Sequence, residues 1–259
     1  EDLAACREQL QAARKRLFKP IIGCEMYVAR RRLYNKEGKP DQSGYHLVVL
    51  AKNEKGYHNL IKLVSRAWTK GYYMRPRTDR SELEKYHEGL IVCSACIAGE
   101  VPRALINDQL DKAEEAIQWY KNLFGDDYYL ELQRHEVTNP TIHANREAFP
   151  LEQKANAQML ELAKKYHIKV ICTNDVHFVD EENAEAHDRL ICLSTGKDLD
   201  DPNRMVYTKQ EWMKTKAEMN AIFADIPEAL SNTLEILDKV EMYSIDHPPI
   251  MPTFAIPEE

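Results

Sequence analysis

Short apolar runs recur along the chain at residues 21–28, 46–52, 90–94, 128–132 and 169–173. Their length suits buried strands rather than helices. Between and after them, apolar positions fall at the three-to-four-residue spacing of amphipathic helices, over residues 54–68, 111–124, 145–167, 182–193 and 227–239. Short strands alternating with longer helices predict an α/β fold built on a mainly parallel sheet. Two boundaries carry a local mechanism. Ser81-Glu82-Leu83-Glu84 fits a capping box, and Asn35-Lys36-Glu37-Gly38-Lys39-Pro40 reads as the turn of an excursion between two strands. A chain of 259 residues that is 44% hydrophobic can bury one large core or two small ones.

Composition narrows the setting. No apolar run approaches the roughly 20 residues that cross a bilayer, so no membrane segment is expected. The opening stretch, residues 1–19, is charged and amphipathic, without the apolar centre of a signal peptide. Six cysteines (Cys6, Cys24, Cys93, Cys96, Cys172, Cys192) lie among apolar strands and helices. Unpaired thiols so placed behave as small buried hydrophobes in a reducing compartment, which points to the cytoplasm. A net charge of -7 argues against wrapping nucleic acid by bulk electrostatics and leaves only local contact. The best basic patch sets Arg66, Lys70, Arg75, Arg77 and Arg80 around Trp68, Tyr72 and Tyr73. Arg75 and Arg77 are its candidate DNA contacts, although a solvated helix end has the same composition. Only nine glycines occur, with neither Gly-x-Gly-x-x-Gly nor a P-loop, so nucleotide binding through a glycine loop is set aside. Four of the twelve prolines lie in residues 247–259, which read as an extended linker. A domain over residues 1–245 with a proline-rich connector over 246–259 follows as the expected organisation.

Candidate chemistry gathers at strand ends. In Val170-Ile171-Cys172-Thr173-Asn174-Asp175-Val176-His177 an apolar strand runs into polar residues, at the carboxyl end where α/β folds build active sites. If the extended backbone continues, Asp175 and His177 project to one face and a metal ion can touch both. An isolated Asp-x-His also describes a turn aspartate followed by a surface histidine, so the pair needs company. Glu25 follows one apolar run, His46 opens another and Cys96 lies just past a third. Cys93 and Cys96 form a Cys-x-x-Cys pattern. No second pair completes a structural zinc site, and buried Cys93 with Cys96 as a ligand is preferred over a redox pair, with two inert thiols as the alternative. A set of Glu, His, Asp and Cys suits zinc, manganese or iron better than magnesium. Such a cluster can activate water for in-line attack at phosphorus.

Four segments together resemble a known family. They are Lys19-Pro20-Ile21-Ile22-Gly23-Cys24-Glu25-Met26-Tyr27-Val28, Tyr45-His46-Leu47-Val48-Val49-Leu50-Ala51-Lys52-Asn53, Cys96-Ile97-Ala98-Gly99-Glu100-Val101 and Thr173-Asn174-Asp175-Val176-His177-Phe178. They are similar to the polymerase and histidinol phosphatase (PHP) domain, in the form found at the N-terminus of bacterial DNA polymerase III alpha subunits. The likeness continues through Tyr129-Leu130-Glu131-Leu132-Gln133-Arg134-His135 and Ala186-His187-Asp188.

The resemblance implies a distorted seven-stranded α/β barrel with a metal cluster at the carboxyl ends of its strands. It implies ligand roles for Glu25, His46, Cys96, Asp175 and His177, the last two also catalytic, with His135 and Arg134 beside the site. The implied cofactors are two or three divalent ions, zinc or manganese first. The implied partners are DNA and other polymerase III holoenzyme subunits, a proofreading exonuclease among them. Two functions remain open. One is a metal-dependent phosphoesterase or 3′ to 5′ proofreading exonuclease; the other is a non-catalytic platform that stabilises the polymerase and docks a separate exonuclease. The family's opening His-x-His strand and its Thr-Asp-His-Gly segment do not occur in these 259 residues, so four ligands are lacking. A domain without its first strands is therefore expected, with polymerization carried by other domains.

Overall fold

The computed structural model describes residues 5–6, 8–9 and 19–253, so the amphipathic opening stretch and the end of the proline-rich tail lie largely outside the described residues. Six strands form one sheet: β1 (Gly23–Ala29), β2 (Gly44–Ala51), β3 (Arg77–Thr78), β4 (Leu90–Cys93), β5 (Tyr128–Leu132) and β6 (Lys169–Cys172). Their order is β3-β1-β2-β4-β5-β6. Only β2 runs against its neighbours, pairing antiparallel with β1 and β4, while β1/β3, β4/β5 and β5/β6 are parallel. The α/β class is as expected. The described residues supply six strands in an open order where the resemblance implied seven in a barrel. The two-residue β3 is too short to leave a periodic signal.

The register assigns every strand two faces. Side chains alternate along a strand, so Met26, Val28, Leu47, Val49, Val92, Leu130 and Val170 share one face. They form the main core with helices α2 (Glu54–Thr69), α5 (Leu110–Phe124) and α6 (Ala148–Tyr166). The opposite face carries Glu25, Tyr27, His46, Val48, Cys93, Glu131 and Ile171. Its lower part is closed by a small second cluster in which Ile91, Cys93, Tyr129 and Ile171 meet Ile236 of α9 (Pro227–Lys239). β4 and β5 are buried along their whole length, as continuous apolar strands covered on both faces must be.

Four helices escape the periodicity reading because none exceeds two turns: α1 (Gly38–Asp41), α3 (Arg80–Tyr86), α4 (Glu100–Ile106) and α8 (Lys216–Ile222). Helix α7 (Ala184–Thr195) lies close to its predicted span. The capping box assigned to Ser81 is replaced by Asp79, whose carboxylate accepts from the Glu82 amide at 3.0 Å. Asp79 wins because its other oxygen also holds the Leu33 amide at 3.0 Å, tying α3 to the excursion after β1.

α2 starts at an Asn53 cap, and Gly56 in its first turn lies directly on the Gly89 backbone. A Cβ at residue 56 would sit 1.8 Å from the Gly89 carbonyl oxygen, and two backbones, not a flexible side chain, would have to part. Gly56→Ala is therefore expected to lose about 2 kcal/mol despite alanine's better helix propensity. Thermal unfolding of the variant checks this, and a stabilised helix would contradict it.

Candidate metal centre

β1, β4, β5 and β6 all point the same way, so their carboxyl ends and the start of the reversed strand β2 meet at one rim of the sheet. Tyr27 is paired with His46 across β1 and β2, and Glu25 with Val48. Alternation therefore puts Glu25 and His46 on the same face, one pair apart. Cys96 enters from the loop after β4. That loop turns through Ala95 in the left-handed region (φ 62) and closes with the Gly99 amide donating to the Cys96 carbonyl at 2.8 Å. Residue 99 must be glycine here, because a Cβ would lie 2.0 Å from the Ser94 carbonyl oxygen. The His46 amide donates to the Ala98 carbonyl at 3.1 Å, which fixes β2 against the loop.

The result is a three-donor cluster. His46 Nδ1 lies 2.5 Å from Glu25 Oε1 and 3.6 Å from Cys96 Sγ, and one donor atom from each residue falls within 4.8 Å of the others. In a four-coordinate zinc sphere, neighbouring donors sit roughly 3.3–3.8 Å apart. The three side chains thus fit one ion with small movements. Imidazole, thiolate and carboxylate together suit a borderline-soft cation. Burial, reinforced by Asp175, pushes the Cys96 thiol up to about 12, so a cation must displace its proton to bind sulfur.

Asp175 and His177 reach the same cleft, but not by continuing the strand. β6 ends at Cys172, and Asp175 adopts a left-handed backbone (φ 43) that ends the extended run. Asn174 enforces the turn by donating to the Gln210 and Trp212 carbonyls at 2.9 and 2.7 Å. His177 is held from the other side, its amide donating to the Glu211 carbonyl at 2.8 Å. His177 Nε2 and Asp175 Oδ2 end 3.7 Å apart. Burial alone would raise the Asp175 carboxyl, but His177, with His135 and His46 further off, holds it below the ordinary carboxylate range. Asp175 in turn raises His177 against the opposing effect of burial. Glu25, His46, Cys96, Asp175 and His177 all line one cavity of about 300 Å³.

Of the side chains expected beside the site, His135 is there and Arg134 is not. His135 is buried, with Nδ1 2.6 Å from Glu152 and Nε2 donating to the Asn174 carbonyl at 3.0 Å. Both ring nitrogens are occupied, which makes it a brace for the Asp175 turn. Burial disfavours its charged form most strongly, yet the Glu152 hydrogen bond and charge, with the Asn174 carbonyl, together outweigh it and its pKa rises. Arg134 points away, making a two-pronged pair with Asp225 at 2.6 and 2.8 Å and lying over the Phe223 ring. It anchors the segment after α8 and has no part in the cleft.

The basic patch is also reordered. Arg77, read as a DNA contact, is fully buried and donates to the Leu33, Asn35 and Gly71 carbonyls, so it cannot face a nucleic acid. Arg66 pairs with Glu82, and Arg80 with Glu100 at 2.9 Å. Arg75 remains exposed.

Two carboxylates escaped the sequence reading. Glu131 sits within β5 on the cleft face and accepts from Thr173 Oγ1 at 2.9 Å; burial raises its pKa to about 7. It lines a chamber of about 340 Å³ with Glu25, Cys96 and Asp175. A charged residue inside an otherwise apolar strand was the available signal. Glu211 comes from a loop with no pattern. One of its oxygens accepts from the Thr208 amide and hydroxyl at 2.9 and 2.6 Å, while the other is buried with no partner among the described residues.

A family model described as "PHP domain" matches residues 2–135. A protein named DNA polymerase III subunit alpha from Borreliella burgdorferi is 40% identical over 250 residues, covering 95% of this chain and 21% of the relative. Proteins of the same name from Treponema pallidum and Thermus aquaticus are each 37% identical, over 245 and 252 residues. Both alignments cover 93% of this chain, against 20% and 19% of the relatives. The chain thus spans about a fifth of the length of the curated relatives it matches.

Proposed function

This chain belongs to the PHP domain family, and on that premise we propose that it forms the PHP unit of a replicative DNA polymerase III alpha subunit, with a divalent-metal centre that hydrolyses phosphoester bonds at the 3′ end of DNA. The observation that carries the reading is the convergence of Glu25, His46 and Cys96 from three separate segments to within 4.8 Å, with Asp175 and His177 in the same cleft. Nothing in the packing of a structural domain requires a carboxylate, an imidazole and a thiol to meet at a cavity wall. Zinc suits the thiolate and imidazole and manganese the carboxylates, and a cavity of about 300 Å³ leaves room for more than one ion.

A bound ion would supply positive charge to polarise a phosphoryl oxygen and ease proton loss from water. The chain's own residues do the remaining work. Glu25, His46 and Cys96 bring three donors together, and Asp175 and His177, an ion pair at 3.7 Å, reach the same cleft. His135 and Asn174 hold the Asp175 turn and so fix where that carboxylate enters the cleft. Residues 1–245 would form this unit and residues 246–259 a connector towards the polymerizing domains; DNA replication, in the cytoplasm alongside other holoenzyme subunits, is the implied process. Among the described residues, no helix is long and apolar enough to cross a membrane.

The test compares the whole polymerase subunit with its Asp175→Asn variant for bound zinc and manganese and for release of 3′-terminal nucleotides. The variant is expected to retain at least tenfold less metal and to lose 3′ trimming, since asparagine keeps the shape but not the charge. Full metal content and trimming in the variant would sink the catalytic reading. Metal without trimming in either protein would favour the platform that docks a separate exonuclease.

A further inference from the structure

The end of α2 and the loop that follows it have the composition of a stacking platform. Trp68 and Tyr72 are 58% and 48% exposed, yet their rings stack on one another at 5.6 Å with planes 17° apart. Trp68 is on the last turn of α2, beside buried Ala67, and Tyr72 follows Gly71, whose carbonyl is bound from below by buried Arg77 at 3.0 Å. The Tyr73 amide donates to the Arg75 carbonyl at 3.0 Å, closing the loop. Of the five basic side chains here, Arg66, Arg77 and Arg80 are committed to protein partners. Lys70 and Arg75 have no carboxylate partner among the described residues, and both are exposed.

From Arg75, on the same loop, two ring contacts lead to the metal centre. The Arg75 guanidinium lies 6.0 Å over the Tyr27 ring, and Tyr27 meets the His46 ring edge-on at 5.0 Å. Tyr27 shares the cleft face of β1 with Glu25.

We propose that Trp68, Tyr72, Arg75 and Tyr27 form a subsite for single-stranded DNA, which leads a strand end into the Glu25/His46/Cys96 cleft. Exposed aromatic faces stack on bases of any sequence, and two free cations beside them match phosphates spaced along one strand. A duplex hides its base faces and presents a broad array of phosphates, which a chain of net charge -7 meets with only two free cations here. A protein partner would use the rings but leaves the two free cations and the Arg75–Tyr27–His46 contacts without a role. The subsite rests on the phosphoesterase reading for its purpose, but its test does not depend on catalysis.

The whole polymerase subunit is irradiated in EDTA with an oligodeoxythymidylate carrying bromodeoxyuridine near its 3′ end, and the adducts are mapped by mass spectrometry. Adducts are expected on Trp68, Tyr72 or Tyr27, reduced about tenfold in a Trp68→Ala/Tyr72→Ala double variant that keeps the parent's melting temperature. Arg75→Ala should lower the salt dependence of that cross-linking by roughly 0.7 in the log–log slope. No adduct in residues 67–75 or at Tyr27 at saturating oligonucleotide would overturn the proposal. So would equal cross-linking to duplex, or yields unchanged in both variants. Adducts without metal binding or trimming would leave the subsite standing and remove the catalytic reading; metal and trimming without adducts would do the reverse.

Discussion

Arg77→Ala is expected to lower the melting temperature by roughly 8–16 °C, corresponding to about 4 kcal/mol. The guanidinium is completely buried and donates to three carbonyls from two segments, Leu33 and Asn35 in the excursion after β1 and Gly71 after α2, at 2.9–3.0 Å. Alanine would strand those acceptors in a dry pocket and leave a void where the side chain lay across the Tyr73 ring. Burial depresses the Arg77 pKa, with Asp41 opposing, but an arginine stays charged at any working pH. Its Nε and Nη2 hydrogen bonds offset that burial although Nη1 has no partner among the described residues, so removing the side chain forfeits more than it returns. Lysine cannot serve three acceptors from one planar fork, so Arg77→Lys should recover less than half of the loss. Calorimetric melting measures both. An unchanged melting temperature with weaker DNA affinity would restore Arg77 to the role its sequence neighbourhood suggested.

That reversal marks where sequence reasoning runs out. Periodicity locates β5 and α9 to the residue, because a mostly apolar run and an amphipathic stripe are chosen by burial, which sequence records directly. It cannot say that of five clustered cations one is swallowed whole and two are neutralised, since Glu82 and Glu100 arrive from later turns of the chain. The candidate site divides in the same way. Glu25, His46 and Cys96 were legible as polar residues at the ends of apolar runs, and the register of β1 with β2 does the rest.

Asp175 and His177 share a cleft for a reason the alternation argument missed. They do so through a left-handed residue and an asparagine bridging to the 210–212 loop, which are tertiary facts. Arg134 adjoins His135 in sequence but leaves the opposite side of the chain, so adjacency to a site residue was not evidence of membership. Glu211 had no signal at all: its role depends on where an irregular loop comes to rest.

Glu131 carries the second large effect, on the pH dependence of stability in the metal-free protein. Its carboxyl is buried beside Asp175 and Glu25, and burial foremost, then those two charges, raises its pKa from 4.5 to about 7, against hydrogen bonds from Thr173 and the Ala95 backbone. In the unfolded chain the group reverts to an ordinary glutamate. Below pH 4.5 both states hold the proton and the group contributes nothing. Between 4.5 and 7 the unfolded chain releases its proton while the folded chain keeps it, so stability falls as pH rises. Above pH 7 the full penalty of about 3 kcal/mol is in force. Glu131→Gln, neutral in both states and able to keep the Thr173 contact, should abolish this slope and be more stable than the parent by up to that amount at pH 8. Urea unfolding in EDTA at pH 5 and pH 8 tests the sign, and parallel curves for the two proteins would show that Glu131 titrates normally. Manganese at pH 8 should then narrow the gap, because a cation held by Glu25, His46 and Cys96 offsets the carboxylate charge that burial disfavours, and only the parent has that charge to offset.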